Sequence, residues 1–173
     1  MSEQFGYNTN IGDKIVFVQL NPFDKEVIQK YCATIEPPNC YLEIGTDMGG
    51  SALVARGATK ADIYTIDFRS IAPKIPEINY INGRSVLIAE SWGGQPIGVL
   101  FIDGNHTEAK YDFLAWEKYV VKGGYIIFHD YIQDPTFTVI KDCDELFENN
   151  DNYEIIYKPL DLENTRCFIV KKK

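Results

Sequence analysis

Short apolar runs alternate with amphipathic segments along most of this chain. Residues 40–44, 63–66, 78–81, 98–102 and 125–128 are apolar runs that predict β-strands. Residues 50–57, 85–90 and 108–121 predict helices, and the last of these has apolar residues on one face at a period of 3.6 residues. Thr107 is the expected N-cap of that helix and Gly123–Gly124 its expected end. Such an alternation is typical of a mostly parallel sheet with helices on both faces.

The two ends of the chain need a separate interpretation. Asn21 and Pro22 predict a helix that runs to about residue 35, with Asp24 in a first turn that suits the helix dipole. Residues 14–20 fit either a short strand or an interaction segment. After Pro135 a helix is expected over residues 136–147, and strands are expected at 153–157 and 167–170. Because about nine polar residues link these two strands, an antiparallel pair at the sheet edge is predicted.

Composition narrows the class of protein. The 173 residues, 45% of them hydrophobic and 24% charged, suit a single domain over residues 1–173, with an N-terminal segment and helix at 1–38 and a core at 39–173. A net charge of -8 argues against nucleic acid as a partner, because phosphate binding needs clustered Lys and Arg. The chain has no apolar run of the ~18 residues that a membrane span needs, and no signal-peptide pattern. Four widely spaced cysteines suit reduced thiols, so a cytoplasmic protein that does not bind membranes is expected.

Polar residues follow the predicted strands at the sheet edge where ligands bind in open α/β folds. Both histidines of the chain, His106 and His129, are among them, next to Asp103 and Asp130. Taken singly, each histidine could be an ordinary hydrogen-bonded loop residue. Their convergence beside two acids predicts a functional site.

A glycine-rich loop, GTDMGGS, follows the first core strand. Its G-x-x-x-G-G spacing differs from the G-x-G-x-x-G of dinucleotide sites, and Glu43 before it would repel a polyphosphate but suit an amino group. Asp67, about 20 residues further on, is placed to accept hydrogen bonds from ribose hydroxyls, or else to act as a loop or cap acid. Its neighbour Phe68 is expected either on an adenine face or in the core.

Four segments resemble a known family. LEIGTDMGGSALVAR, YTIDFRS, VLFIDGNHTEAKYDFLAW and VKGGYIIFHDY, over about residues 41–131, are similar to class I S-adenosylmethionine-dependent methyltransferases. Within that class the resemblance is to the macrolide and aminocoumarin sugar O-methyltransferases and the cephalosporin-hydroxylase-type proteins. It implies a Rossmann-like, doubly wound sheet of seven strands, mostly parallel with an antiparallel last strand. It also implies S-adenosylmethionine as cofactor and a small-molecule hydroxyl as methyl acceptor.

The resemblance also assigns roles to individual residues. The methionine end of the cofactor would lie against Gly45, Thr46, Gly50 and Ser51, with Glu43 near it directly or through water. Asp67 would bind the ribose, and Gly83 and Ser85 would flank the adenine beside Phe68. Asp103 would contact the cofactor and would also be a metal ligand. His106 matches a position that holds the general base in some relatives.

One departure from the family concerns the metal. Relatives often end the fifth strand in two adjacent acids that complete a magnesium site, whereas this chain has His129 and Asp130. An imidazole weakens the case for Mg²⁺, but Mn²⁺, iron or Zn²⁺ would accept Asp103, His129 and Asp130 together. That no metal binds, and that His129 pairs with Asp130 or contacts substrate, stays open. Asn105 stands where other relatives have an acid and cannot act as a base, which favours His106.

Three further alternatives stay open at this stage. A homodimer could complete the site, because the segments before the core are short. A catalytically inactive protein could have kept the fold and lost the activity. A nucleotide-dependent oxidoreductase is disfavoured by the glycine spacing and by Glu43. The sequence does not identify the methyl acceptor.

Overall fold

The computed structural model describes residues 7–11, 14–18, 20–69, 74–160 and 165–173. Among these residues, no helix combines the length and the apolar character that are needed to cross a bilayer. The elements follow in chain order: β1 (Tyr7–Ile11), β2 (Lys14–Val18), α1 (Pro22–Cys32), β3 (Cys40–Ile44), α2 (Gly50–Ala58), β4 (Ile63–Asp67), β5 (Ile78–Asn82), α3 (Ser85–Glu90), β6 (Ile97–Ile102), α4 (Ala109–Trp116), β7 (Val120–Phe128), α5 (Val139–Phe147), β8 (Tyr153–Tyr157) and β9 (Phe168–Lys172).

The core is a seven-stranded sheet with the order β5-β4-β3-β6-β7-β9-β8. Strands β3 to β7 are parallel, and β9 is antiparallel to both β7 and β8. The chain leaves β3 in one direction and returns to β6 on its other side, which opens a crevice at the carboxyl ends of these two strands. The predicted α/β Rossmann-like fold is confirmed, including the antiparallel pair at the edge. Strands β1 and β2 form a separate antiparallel hairpin, so a strand lies where the sequence left two interpretations open.

Alternation along each strand divides the core into two apolar layers. On β3, Leu42 and Ile44 belong to the layer that contains Trp116 of α4 and Phe147 of α5. Tyr41 belongs to the other layer, which holds the apolar residues of α1 and α2. Helices therefore cover both faces, as the continuous apolar strands predict. The four cysteines lie inside as buried free thiols.

The helix predicted over residues 108–121 is present, but its predicted end was wrong. Helix α4 ends at Trp116, and after a 3₁₀ turn β7 begins at Val120, so Gly123 and Gly124 lie within the strand. Gly123 has φ +82°, and the pairing of β6 with β7 shifts register nearby, which is how a strand accommodates an irregular residue. Pairing with the sheet therefore outweighed a local helix-stop signal.

Three helix ends also differ from the expected positions. Thr107 does not cap α4, because its hydroxyl donates to Asn105 Oδ1 and the N-cap position is Glu108. Helix α5 begins at Val139 rather than at 136, because the Thr136 hydroxyl and N–H both donate to Asp134 Oδ1 in a turn. Helix α1 ends at Cys32, three residues before the predicted end.

Candidate functional site

The glycine loop between β3 and α2 lies against the end of β6. Gly45 has φ +96°, and a Cβ at this position would lie 2.0 Å from the carbonyl oxygen of Asp103. Only glycine allows the two strand ends to approach this closely. Gly49, at φ +80°, is the N-cap residue of α2 and has no side chain that could cap the helix. The first N–H groups of α2, at the crevice, therefore receive no side-chain hydrogen bond from the N-cap.

Asp67 at the end of β4 braces this loop. Its Oδ2 accepts the N–H groups of Thr46 and Asp47, each at 3.0 Å, and its Oδ1 accepts the N–H of Arg69 at 2.7 Å. A loop role for this acid is therefore present in the structure, and ribose binding stays a prediction. Phe68 is 57% exposed, which excludes core packing and leaves the adenine-face interpretation.

Glu43 lies behind the loop rather than at its surface. The carboxylate is fully buried and accepts hydrogen bonds from Tyr41 Oη at 2.9 Å and Thr65 Oγ1 at 2.8 Å. Burial raises the pKa of Glu43 to about 7, although these hydroxyls and that of Ser51 lower it in part. Thr65 Oγ1 lies 2.6 Å from Thr46 Oγ1, so the acid is linked to the loop through hydroxyl groups.

The residues that were predicted to flank the adenine lie just after β5. Gly83 has φ +152° there, and Ser85 begins α3. The Ser85 hydroxyl donates to Asp112 Oδ1 at 2.6 Å and accepts the indole N–H of Trp116 at 3.0 Å. Burial raises the pKa of Asp112 to about 6. The Ser85 side chain is thus engaged inside the protein rather than turned to a ligand.

Four titratable residues meet at the ends of β6 and β7. His129 Nδ1 lies 3.1 Å from Asp103 Oδ1 and 3.6 Å from Asp130 Oδ2. His106 Nε2 lies 3.5 Å from Asp130 Oδ2. Asp130 has φ +52°, a conformation that is uncommon for a residue other than glycine and that clusters at functional sites. The predicted convergence of both histidines with these acids is present in the structure.

A fifth residue, Asp24 of α1, joins this group. Its Oδ2 lies 3.1 Å from His129 Nε2, and its side chain is buried. In the sequence, Asp24 is recognisable only as a first-turn acid that suits the helix dipole. Because 105 residues separate it from His129, no local pattern could have joined the two.

The acids determine the charge of the buried imidazole. Burial lowers the pKa of His129, but the charge of Asp103 and hydrogen bonds to Asp103, Asp130 and Asp24 raise it well above its usual value. Burial raises the pKa of Asp130, but His129, His106 and Arg166 together lower it to about 2. The surrounding carboxylates therefore favour the protonated form of this imidazole.

A cleft of about 230 Å³ connects the glycine loop to this acid–base group. Eight of the predicted site residues line it: Gly45, Thr46, Gly50, Ser51, Asp103, His106, His129 and Asp130. Leu20, Asp47 and Met48 complete the lining. Glu43, Asp67, Phe68, Gly83 and Ser85 lie outside this lining. The cleft therefore joins the predicted methionine end to the predicted catalytic end.

Comparison with known proteins gives the family. A methyltransferase-domain family model matches residues 42–131, which is slightly more than half of the chain. The chain belongs to the methyltransferase-domain family. The predicted class, the S-adenosylmethionine-dependent methyltransferases of class I, is confirmed.

Solved structures share the fold at low sequence identity. An O-methyltransferase from Bacillus cereus in complex with SAH is 19% identical, with a TM-score of 0.70 over 89% of this chain and 82% of that chain. The O-methyltransferase TomG from Streptomyces achromogenes, in complex with SAM, is 14% identical, with a TM-score of 0.68 over 86% and 78%. An rRNA methylase from Streptococcus thermophilus is 16% identical, with a TM-score of 0.60 over 84% and 94%. These likenesses concern the fold of this methyltransferase and not its acceptor.

Among the residues that the structure describes, two groups of side chains offer metal-ligand atoms. Asp103, His129 and Asp130 have theirs within 4.8 Å of one another. The buried Oδ1 of Asp130 accepts no hydrogen bond from any described residue, although it forms an ion pair with Arg166 Nη1 at 3.5 Å. In the second group, Asp24, His129 and Cys167, burial raises the pKa of the Cys167 thiol and disfavours the thiolate that a metal needs. The first group is thus the better fit, and its mixed oxygen and nitrogen set favours Mn²⁺, iron or Zn²⁺ over Mg²⁺.

Proposed function

We propose that this protein transfers the methyl group of S-adenosylmethionine to a hydroxyl oxygen of a small molecule. The observation that carries this proposal is the position of His106, in the same cleft as the glycine loop and with an acid behind it. Methyl transfer needs a nucleophile held in line with the sulfonium, which a bound cofactor at one end of a cleft and an acceptor at the other provide. A hydroxyl nucleophile also needs a base.

His106 is the proposed general base. Its ring centroid lies 4.1 Å from that of Phe137, and its carbonyl oxygen accepts the N–H of Thr138 at 3.0 Å. These contacts and the carboxylate of Asp130 hold the imidazole at the edge of the cleft. In the reaction, the acceptor hydroxyl gives its proton to the ring nitrogen that does not face Asp130, while its oxygen takes the methyl group from sulfur. The products are a methyl ether, S-adenosylhomocysteine and a protonated His106.

A divalent cation at Asp103, His129 and Asp130 is the second part of the proposal. When bound, such a cation lowers the pKa of a coordinated hydroxyl. The short distances between the three ligand atoms support it.

The charge of the cleft supports a small neutral or cationic acceptor that is not nucleic acid. Asp47, Asp103 and Asp130 all line it, and the chain carries a net charge of -8. The rRNA methylase with the same fold shows that the sheet alone does not choose the acceptor. A polyanionic acceptor would need a basic surface around the cleft, because phosphate contacts supply most of its affinity.

The first test is calorimetric titration with S-adenosylmethionine, with and without Mn²⁺, on wild type and Asp67→Ala. Asp62→Ala is a matched control, because Asp62 is an exposed acid directly before the first residue of β4, whereas Asp67 is the last residue of that strand. We expect binding by wild type and Asp62→Ala and clearly weaker binding by Asp67→Ala. Absence of binding by wild type would contradict the proposal.

Turnover separates the enzyme from an inactive relative. Release of S-adenosylhomocysteine is measured with a panel of hydroxylated small molecules at saturating cofactor. Release that depends on the acceptor supports the proposal. Tight cofactor binding with no release for any acceptor would instead favour a binding protein that kept the fold.

A further inference from the structure

The Asp24 carboxylate is held on both of its oxygen atoms. Oδ1 accepts the hydroxyl of Thr165 at 2.6 Å and the N–H of Arg166 at 2.8 Å, just before β9. Oδ2 faces His129 Nε2 at 3.1 Å. Asp24 is only 1% exposed, so water does not compete for these contacts. Because these two donors and the Cys167 thiol at 3.5 Å hold Oδ1, the carboxylate is not free to turn away from the imidazole.

This arrangement separates the roles of the two ring nitrogens of His129. Nε2 is committed to Asp24, on the side of α1. Nδ1 lies on the side of the cleft, near Asp103 Oδ1 and Asp130 Oδ2. A histidine that binds a metal through one nitrogen usually donates its other N–H to a carboxylate, which fixes the ring and its tautomer.

We propose that Asp24 is a positioning residue that holds the Nε2–H of His129 and so presents Nδ1, with Asp103 and Asp130, to a divalent cation. This inference rests on the cation part of the proposed function. It extends the site to helix α1, which lies before the residues that the family model matches. The rival interpretation is that Asp24 only ties α1 to the start of β9.

The variant Asp24→Asn tests the inference at constant size. An asparagine has one oxygen and one NH₂ group, so it cannot accept both from the backbone N–H of Arg166 and from His129 Nε2–H. Asp142→Asn is the matched control, because Asp142 is also a buried acid in the first turn of a helix, where it accepts the Thr138 hydroxyl. Mn²⁺ and Zn²⁺ affinities are measured by calorimetry on the full chain, beside S-adenosylmethionine affinity and unfolding in urea.

We expect the affinity of Asp24→Asn for the metal to fall about 10- to 100-fold, as is usual when an outer carboxylate is lost. Affinity for the cofactor should stay unchanged, and Asp142→Asn should bind metal like wild type. Equal metal affinity in wild type and Asp24→Asn would overturn the inference. Wild type that binds S-adenosylmethionine but neither metal would also overturn it, while leaving methyl transfer itself standing.

A second variant covers the case in which Asp24→Asn does not fold. Thr165→Val removes one of the donors that hold Oδ1 and keeps the carboxylate, so we expect a several-fold loss of metal affinity that Thr165→Ser restores. Because the chain has two histidines, ¹⁵N spectra of the imidazoles report the ring directly. In wild type the metal should replace the proton on Nδ1 of His129, shift the signal of that nitrogen and leave Nε2 protonated. Binding through Nε2 would contradict the proposed orientation.

Discussion

The two ends of the cleft are built in different ways. The glycine-loop end comes from one continuous stretch of chain, from the end of β3 to the first turn of α2, and it offers backbone N–H groups and glycine conformations. The acid–base end draws single side chains from separate elements, including Asp24 of α1, Asp103 after β6 and His129 after β7. The glycine-loop end therefore depends on local backbone geometry, whereas the acid–base end depends on long-range positioning.

The largest expected effect is on the loop itself. Gly45→Ala forces a Cβ against the carbonyl oxygen of Asp103 at φ +96°, so we expect a loss of more than about 3 kcal/mol of stability and no cofactor binding. Gly57→Ala is the control, because Gly57 lies in helix α2 and a Cβ there would meet nothing within 4 Å. Urea unfolding and cofactor calorimetry measure both. A Gly45→Ala protein that binds like wild type would mean that the loop is not held as described.

His106→Ala tests the other end alone. Loss of a general base should lower kcat by about 10²- to 10⁴-fold. Affinity for S-adenosylmethionine should not change, because His106 lies at the acid–base end of the cleft. Steady-state kinetics and calorimetry on the same preparation give the two numbers. A parallel loss of cofactor binding would show that the two ends are not independent.

Glu43→Gln tests the glycine-loop end through the pH dependence of stability, because Glu43 is the buried acid behind that loop. Because burial raises the pKa of Glu43 from 4.5 to about 7, its contribution to stability is full below about pH 4.5 and is lost as the pH rises to about 7. The shift corresponds to about 3 kcal/mol. The Gln variant should therefore lose less stability than wild type between pH 5 and 8, measured by urea unfolding at both values. Equal losses of stability in the two proteins would show that burial does not raise the pKa of Glu43.

Phe68→Ala has the smallest expected effect and concerns the cofactor end. The ring is 57% exposed, so its removal should leave the unfolding temperature nearly unchanged. If the adenine stacks on it, affinity for S-adenosylmethionine should fall by about tenfold, within the roughly 1–3 kcal/mol that aromatic stacking on a base contributes. Leu160→Ala, at a still more exposed apolar residue in the loop after β8, should change neither quantity. Unchanged cofactor affinity in Phe68→Ala would rule out the adenine-face role.

Much of the fold could be predicted because its signal is local. The apolar runs of β3 and β6 identify buried parallel strands, and the polar residues after them fall at one edge whatever the details of packing. Gly123 and Gly124 show the limit of such signals. They look like the end of a helix, but they lie within β7 between Val120 and Tyr125, which both pair with β6.

By itself the sequence determined the α/β class, the glycine loop and the convergence of both histidines with Asp103 and Asp130. Only the tertiary structure decided that Glu43 lies behind the loop, that Ser85 turns to Asp112 and that Asp24 meets His129. The physical reason is that hydrophobic periodicity is a local signal, because a few neighbouring residues are enough to show it. A buried polar group instead takes its partner from whichever element the fold brings against it, because leaving it unpaired would cost more than the contact itself gains.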